Sequence, residues 1–202
     1  MTDLERTEFV VRTIAETAIA NEKYFGDLDS VVGDGDFGYS LARGFEKLLE
    51  GWDGLDRTDA GTFLKRSGMV IASRIGGTSG PLWGTAFLRA GGAADSGVVA
   101  MLRAAIEGIK ARGQSDVGDK TLLDALVPFT DRLSEELDGG TDGADALRAA
   151  TAAAREAADA TAGMVAKRGR AAYTGERSRG SVDAGATAVA VIAERISETW
   201  QK

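Results

Sequence analysis

Apolar residues recur at intervals of three and four along almost the whole chain, which is the spacing of an amphipathic helix. Eight such stretches are separated by turns rich in glycine and aspartate. The predicted helices run from 2 to about 24, from about 39 to 50, and then from near 58, 81, 95, 122, 142 and 183. No stretch alternates apolar and polar residues as a strand does. The pattern therefore predicts an all-α chain.

Residues that favour helix N-termini lie where several of these helices begin. Thr2 with Glu5 three residues later is a capping box. Further N-cap candidates are Thr58, Asp95 or Ser96, Asp142 or Asp145, and Asp183. No linker rich in proline or serine interrupts the series. We therefore predict a single domain over residues 1–202, folded as an antiparallel, eight-helix, up-and-down barrel or bundle.

In an up-and-down topology the loops after helices one, three, five and seven lie at the same end. In this chain those four loops are the unusual ones. They are the acidic stretch 28–38, the glycine turn 76–80, a second glycine-bearing loop at 112–121 and a basic stretch at 167–180. We expect them to converge on one rim and to form a ligand site there.

The acidic stretch carries Asp29, Asp34 and Asp36 among three glycines. Carboxylates this close repel one another unless a cation lies between them. With no His or Cys nearby, a hard cation such as Mg2+, Mn2+ or Ca2+ suits the loop better than zinc. An EF-hand is excluded because no Glu stands at the twelfth position. The alternative is a solvated turn, which Asp-Gly pairs commonly form.

The glycine turn 76–80 suits a phosphate, because its backbone N–H groups can point inward beside a helix N-terminus. A plain helix connector is the alternative. The segment Gly113–Thr121 resembles a Walker A sequence, but Asp119 separates the last glycine from Lys120 and no strand precedes it, so we reject a P-loop. We interpret Lys120 as a solvated side chain. Arg177 can neutralise a diphosphate, or it is a surface charge.

Composition excludes several classes of function. The 202 residues carry a formal charge of -7 and no run of Lys and Arg, which argues against nucleic acid and anionic membranes as partners. The chain contains neither His nor Cys, so imidazole and thiolate chemistry are both excluded. Without a basic N-terminal region followed by an apolar run, the chain is expected to be cytoplasmic.

Four ordered motifs resemble those of the nucleotide-binding L subunit of dihydroxyacetone kinases, over nearly the whole chain. They are GDGDFG at 33–38, GGTSGPL at 76–82, KARG at 110–113 with GDKT at 118–121, and KRGRA at 167–171 followed by GERS at 175–178. The resemblance implies an eight-helix barrel that binds ADP or ATP with Mg2+ at one end.

The resemblance also assigns residues to the site. Asp29, Asp34 and Asp36 are expected to hold the metal, and Arg177 to supply catalytic charge. The residues expected around the nucleotide are Phe37, Gly38, Tyr39, Ser40, Thr78, Ser79, Gly113, Leu122, Arg177, Asp183, Ala184 and Gly185. Of these, Thr78 and Ser79 are expected at the phosphates, and Gly113 and Leu122 beside the base. Two positions depart from the family, which often has His in place of Phe37 and Pro in place of Ala184.

The family's chemistry implies that the nucleotide's terminal phosphoryl group passes to a ketose, typically dihydroxyacetone, held by a His of a separate K subunit. This chain is then expected to be inactive alone. Two donor arrangements exist: ADP rephosphorylated in place by a phosphohistidine protein of the phosphotransferase system, or exchanging ATP. The alternative function is a regulatory module that signals its nucleotide state to a transcription activator.

Overall fold

The computed structural model describes residues 1–200, in which helices are present and strands are not. The α-helices are α1 Asp3–Ala20, α2 Glu22–Ser30, α3 Phe37–Glu50, α4 Ala60–Arg74, α5 Ser79–Gly92, α6 Val98–Gly113, α7 Leu123–Asp138, α8 Gly143–Ala160 and α9 Ala184–Thr199. Short 3-10 helices cover Trp52–Gly54, Ala94–Ser96, Thr161–Gly163 and Arg170–Ser178. The all-α prediction is confirmed.

The first predicted helix is divided at Asn21, so residues 1–200 hold nine α-helices where eight were predicted. The side-chain amide of Asn21 donates to the Thr17 carbonyl at 2.9 Å, and its backbone N–H donates to the same oxygen at 3.1 Å. An asparagine that bonds its own helix in this way favours a helix end over continuation. The apolar spacing runs on across the break, which is why periodicity alone did not reveal it.

Four of the α-helices begin at a side chain that accepts a backbone N–H group. The capping box of Thr2 and Glu5 is present, with bonds of 3.2 and 2.7 Å, and Asp142 and Asp183 cap α8 and α9 as predicted.

Thr58 was the wrong cap for α4, because the neighbouring Asp59 accepts the N–H that the cap must satisfy. α6 begins after Gly97, in a conformation with φ of 88°, and not at the predicted Asp95 or Ser96. α5 begins at Ser79, before Pro81.

Contacts divide the chain into two compact units, each built from two stretches. The first unit comprises Met1–Glu22 and Tyr39–Gln114, and the second comprises Lys23–Gly38 and the residues from Ser115 onward. The division therefore falls at the start of α2 and within the first turn of α3. A single domain over residues 1–202 stays a prediction.

In the first unit α5 packs against both α4 and α6, and α1 packs against α4. Gly61 of α4 and Gly91 of α5 allow a close approach of the two helices, since a Cβ on either residue would lie 2.7 Å from the carbonyl oxygen of the other. Phe45 of α3 lies edge-on to Trp83 with ring centroids 6.0 Å apart. Small residues between helices and large aromatics beside them fill this core.

In the second unit α7, α8 and α9 each pack against the other two. The buried face of α8 includes alanines at every fourth position, Ala146, Ala150, Ala154 and Ala158. Such a stripe lets neighbouring helices approach closely. α8 ends at Ala160, where a 3-10 turn follows it. Within residues 1–200 no helix combines the length and apolar composition that crossing a membrane needs.

Candidate functional site

The three predicted metal ligands lie together in the second unit. Asp29 stands in the last turn of α2, and Asp34 and Asp36 follow in the loop that leads to α3. One carboxylate oxygen from each residue lies within 4.8 Å of the others. The loop folds back tightly at Gly33, where any Cβ would lie 2.4 Å from the Asp29 carboxylate. We call Asp29, Asp34 and Asp36 the acid cluster.

The members of the acid cluster differ in their electrostatics. Burial raises the pKa of Asp29, aided by the negative charges of Asp34 and Asp36 and opposed by backbone hydrogen bonds. One of those bonds comes from the N–H of Phe37, 3.4 Å from Asp29 Oδ2. The hydrogen bond from Arg170 instead lowers the pKa of Asp34. The cluster therefore carries unbalanced negative charge at Asp29 and compensated charge at Asp34.

Arg170 is the residue of this site that sequence reasoning missed. Its Nη1 donates to Asp34 and lies 2.9 Å from Asp36 Oδ2. Hydrogen bonds to Asp36 and Asp34 raise the pKa of Arg170 above its ordinary value. The signal available in the sequence was the short stretch Lys-Arg-Gly-Arg at 167–170, which interrupts the helical pattern without any apolar residue to bury.

The donor set of the acid cluster fits a hard divalent metal. All three donors are carboxylate oxygens, which Mg2+ and Mn2+ prefer, and the chain offers no thiolate or imidazole. The side chains of Asp34 and Asp36 are 46% and 51% exposed, so a hydrated ion and a phosphate oxygen can reach them. Asp29, whose pKa burial raises, is stabilised in its ionised form by any added cation.

The predicted nucleotide residues next to the acid cluster are only partly exposed. Phe37 is half-buried, and its ring lies 6.2 Å from that of the buried Phe25. Gly38 is buried as well. Phe37 thus reaches Asp29 through its backbone, whereas its ring packs against another aromatic side chain.

A further set of predicted residues lies in the first unit. Tyr39 is exposed, with the Arg43 guanidinium 5.3 Å from its ring centroid. Ser40 lies beside the glycine turn, since a Cβ on Gly76 would be 3.4 Å from its hydroxyl oxygen. Thr78 and Ser79 form the N-terminus of α5, where Thr78 makes no side-chain capping bond. Gly113 is the last residue of α6. The helix that follows the glycine turn thus begins at Ser79, and its role as a phosphate site stays a prediction.

The remaining predicted residues meet in the second unit, where the N-termini of α7 and α9 adjoin. A Cβ on Gly185 would lie 3.3 Å from the backbone nitrogen of Leu122, so Gly185 allows this contact. Asp183 caps α9 by accepting the N–H of Ala186 at 2.7 Å, and burial raises the pKa of Asp183 to about 7. Ala184 is the first residue of α9. Leu122 and residues 183–185 thus form one compact corner.

Arg177 lies at the end of the 3-10 segment that also contains Arg170. Its side chain is exposed, and within residues 1–200 its guanidinium forms no ion pair or hydrogen bond. Arg177 is therefore available to a ligand, whereas Arg170 is already engaged by carboxylates.

The interpretation of Lys120 as solvated is wrong. The side chain is only 3% exposed, and its Nζ donates to the carbonyls of Met164, Ser178 and Ser181, the first at 3.2 Å and the last at 2.7 Å. Asp124 supports the same loop by accepting the N–H groups of Gly118 at 2.6 Å and Thr121 at 2.7 Å. Burial lowers the pKa of Lys120. We call Lys120 and Asp124 the buried anchor.

Comparison with known proteins places these features in a family. The model of the DAK2 domain matches residues 31–198. The ADP-binding subunit DhaL of the PEP-dependent dihydroxyacetone kinase of Escherichia coli K12 is 37% identical over 195 residues, which is 92% of this chain and 93% of that protein. The L-erythrulose 1-kinase of Mycolicibacterium smegmatis is 38% identical over 94% of this chain, but the chain spans only 34% of its length.

A solved structure agrees in fold. The dihydroxyacetone kinase of C. freundii in complex with AMP-PNP and Mg2+ has a TM-score of 0.76 and 27% identity over 94% of this chain, which spans 33% of that protein. Two kinds of relative are thus present, separate subunits of the same length and kinases about three times as long. The chain belongs to the DAK2 domain family, and it is similar over nearly its whole length to the ADP-binding DhaL subunits of dihydroxyacetone kinases.

Proposed function

We propose that this chain is the nucleotide-binding subunit of a dihydroxyacetone-type ketose kinase, with residues 1–202 forming one DhaL-like domain. The observation that carries the proposal is the acid cluster, three carboxylates whose oxygens lie within 4.8 Å in a chain that offers no imidazole or thiolate. The names of its relatives, an ADP-binding subunit of a dihydroxyacetone kinase and an L-erythrulose 1-kinase, refer to chemistry that such a cluster can serve. The ligand is Mg-ADP or Mg-ATP.

We assign Asp29, Asp34 and Asp36 to the magnesium ion, which when bound neutralises charge on the phosphate oxygens. The backbone N–H groups at Thr78 and Ser79 bind phosphate at the positive end of α5. Further residues assigned to the nucleotide are Phe37, Gly38, Tyr39, Ser40, Gly113, Leu122, Asp183, Ala184 and Gly185.

Arg177 supplies positive charge to the transferring phosphoryl group. Its exposed and unpaired guanidinium supports this role, since a forked donor can bind two phosphate oxygens at once. Phosphoryl transfer asks a protein mainly for positioning and charge stabilisation, and this chain has groups for both.

The acceptor is a ketose bound by a separate K subunit, because this chain has no His with which to hold a carbonyl substrate. The E. coli relative is named a PEP-dependent kinase subunit, so a phosphohistidine protein of the phosphotransferase system is one candidate donor. The longer erythrulose kinase and the AMP-PNP complex make ATP the other. Neither donor requires nucleic acid or a membrane.

Titration calorimetry with Mg-ADP tests the metal assignment. We expect Asn in place of Asp29, Asp34 or Asp36 to weaken binding by about 1–3 kcal/mol, because each change removes charge that the metal needs. The matched control is Asp27→Asn, which neutralises a neighbouring carboxylate that is paired with Lys23 at 2.5 Å and lies outside the acid cluster. Unaltered affinity for Mg-ADP in all three variants would contradict the assignment of these aspartates to the metal.

The subunit role is tested by phosphorylation of dihydroxyacetone. The purified chain with ATP is expected to give no product, and addition of its K subunit is expected to restore the reaction with one of the two donors. Steady turnover by the chain alone would contradict the subunit role. Mg-ADP binding without turnover under any pairing would favour the regulatory alternative.

A further inference from the structure

The segment that carries Arg170 and Arg177 is held at its base by a buried lysine. We call residues 167–177 the arginine loop. Lys120 Nζ donates to the carbonyl of Met164 on one side of this loop and to the carbonyls of Ser178 and Ser181 on the other. A fully buried ammonium group is costly unless all its donors are satisfied, and here three carbonyls satisfy three N–H bonds. One side chain thus joins both ends of the loop.

Other hydrogen bonds also join the two ends of the arginine loop, and we call this junction its neck. The Ala166 N–H donates to the hydroxyl of the buried Ser178 at 2.8 Å, and the Gly180 N–H donates to the Ala162 carbonyl at 2.8 Å. Next to Lys120, the Asp119 carbonyl accepts the Lys167 N–H at 3.1 Å. The loop therefore leaves the fold and returns to it at fixed points.

Because the ends of the arginine loop are fixed, the positions that Arg170 can reach are limited. Arg170 is three residues beyond Lys167, and three residues extend at most ~10 Å. Within that reach Arg170 meets Asp34 and Asp36. Lys120 itself adopts a left-handed conformation with φ of 62°, which is unusual for a residue with a side chain and favours a defined role for its orientation.

We propose that Lys120 is a positioning residue of the nucleotide site: by anchoring the arginine loop it holds Arg170 on Asp34 and Asp36, where the guanidinium competes with a divalent cation. This inference rests on the proposed metal role of those two carboxylates. A guanidinium and a divalent ion repel each other at shared oxygens, so the metal binds fully only when the loop releases Arg170. Because Arg170 and its partners are exposed, the competition is modest, about two- to fivefold in affinity.

The test measures Mn2+ affinity without nucleotide by electron paramagnetic resonance, in a double-mutant cycle. Arg170→Ala is expected to tighten Mn2+ binding about two- to fivefold. Lys120→Met keeps a side chain of similar length that cannot donate a hydrogen bond. It is expected to reproduce much of that gain in Mn2+ affinity. In the Arg170→Ala background, Lys120→Met is expected to change affinity less than 1.5-fold, since the group it positions is gone. Lys47→Met, which removes the same charge from an exposed pair with Glu50, is the control and should change nothing.

Limited trypsin digestion tests directly whether Lys120 anchors the arginine loop, because the loop contains trypsin cleavage sites whose rate of cleavage can be measured. Cleavage after Arg168 or Arg170 should be at least tenfold faster in Lys120→Met than in Lys47→Met. If Lys120→Met does not fold, Ser178→Ala replaces it, since it loosens the same neck by removing one hydroxyl. Ser178→Ala should show the same two effects at smaller size.

The outcomes separate this inference from the proposed function. Mn2+ binding that Asp34→Asn abolishes but that neither Arg170→Ala nor Lys120→Met alters overturns the inference alone. Equal effects of Lys120→Met with and without Arg170 also overturn it, because they make Lys120 merely structural. If no variant binds Mn2+ or Mg-ADP, the proposed function and the inference fall together.

Discussion

The acid cluster and the buried anchor are both made of charged residues in the second unit, but they treat charge in opposite ways. Asp34 and Asp36 are about half exposed and are compensated by an equally exposed arginine. Lys120 and Asp124 are almost fully buried and are bound to backbone groups. Charges of the first kind remain open to exchange of partners, which a ligand site needs. Charges of the second kind fix the chain that carries the site.

The largest expected effect is a difference in lost stability between a substitution in the buried anchor and one in the acid cluster. Asp124→Ala should lower the free energy of unfolding by about 2–4 kcal/mol, because it removes a buried carboxylate and leaves the partly buried N–H groups of Gly118 and Thr121 without their acceptor. Asp34→Ala should lower it far less, since the ion pair of Asp34 with Arg170 is exposed. Urea unfolding measures both, and equal losses would contradict the contrast.

The pH dependence of stability sharpens the comparison. The pKa of Asp183 is about 7 in the fold, above its ordinary value of 3.8, chiefly through burial, so the folded state holds this proton more tightly than the unfolded state. This contribution favours folding at low pH and is lost as pH rises through 7. Asp183→Asn should remove that loss. As pH rises from 4 to 8, the free energy of unfolding of the variant should gain on the order of 2–4 kcal/mol relative to that of the parent.

Asp59, an exposed N-cap, is the matched control with the opposite sign. Hydrogen bonds from the backbone and hydroxyl of Thr62 lower the pKa of Asp59. Its contribution is therefore present above the ordinary pKa of an aspartate and is lost as pH falls below it. Asp59→Asn should be most harmful at neutral pH and nearly neutral at pH 2. Identical pH profiles for the two Asn variants would refute the assignment of burial as the cause.

The smallest expected effect concerns Phe37, at the border of the acid cluster. Its half-buried ring packs against Phe25, so Phe37→His should lower stability by about 1 kcal/mol. Release of ADP should change less than twofold, because the bond to Asp29 comes from the backbone and survives the substitution. Phe37→Leu is the control for lost ring packing. Slower ADP release in the His variant alone, at unchanged melting temperature, would show that the imidazole reaches the nucleotide.

What the sequence predicted correctly is what short-range chemistry determines. The helices follow from apolar spacing, and the cap at Asp183 follows from one side chain and the three residues after it. The three aspartates were found because they are close in sequence and remain close in the fold. Convergence of the four loops on one rim depends on contacts across the whole chain and stays a prediction.

The errors have a common physical cause. Lys120 was interpreted as solvated because its partners are backbone carbonyls from residues 164–181, and carbonyls leave no signature in a sequence. Arg170 was missed because its carboxylate partners lie 136 and 134 residues away along the chain. The break at Asn21 depends on one amide that bends back on its own helix. Each case turns on long-range or backbone bonding.

The arginine loop also carries Tyr173, whose side chain is 90% exposed. Because the chain contains no cysteine, a single cysteine at this position would be its one thiol. A fluorophore attached there would lie three residues from Arg170, on a segment whose base is anchored by Lys120. Position 173 is therefore an attachment point for an optical reporter with which the proposed binding of a nucleotide can be followed.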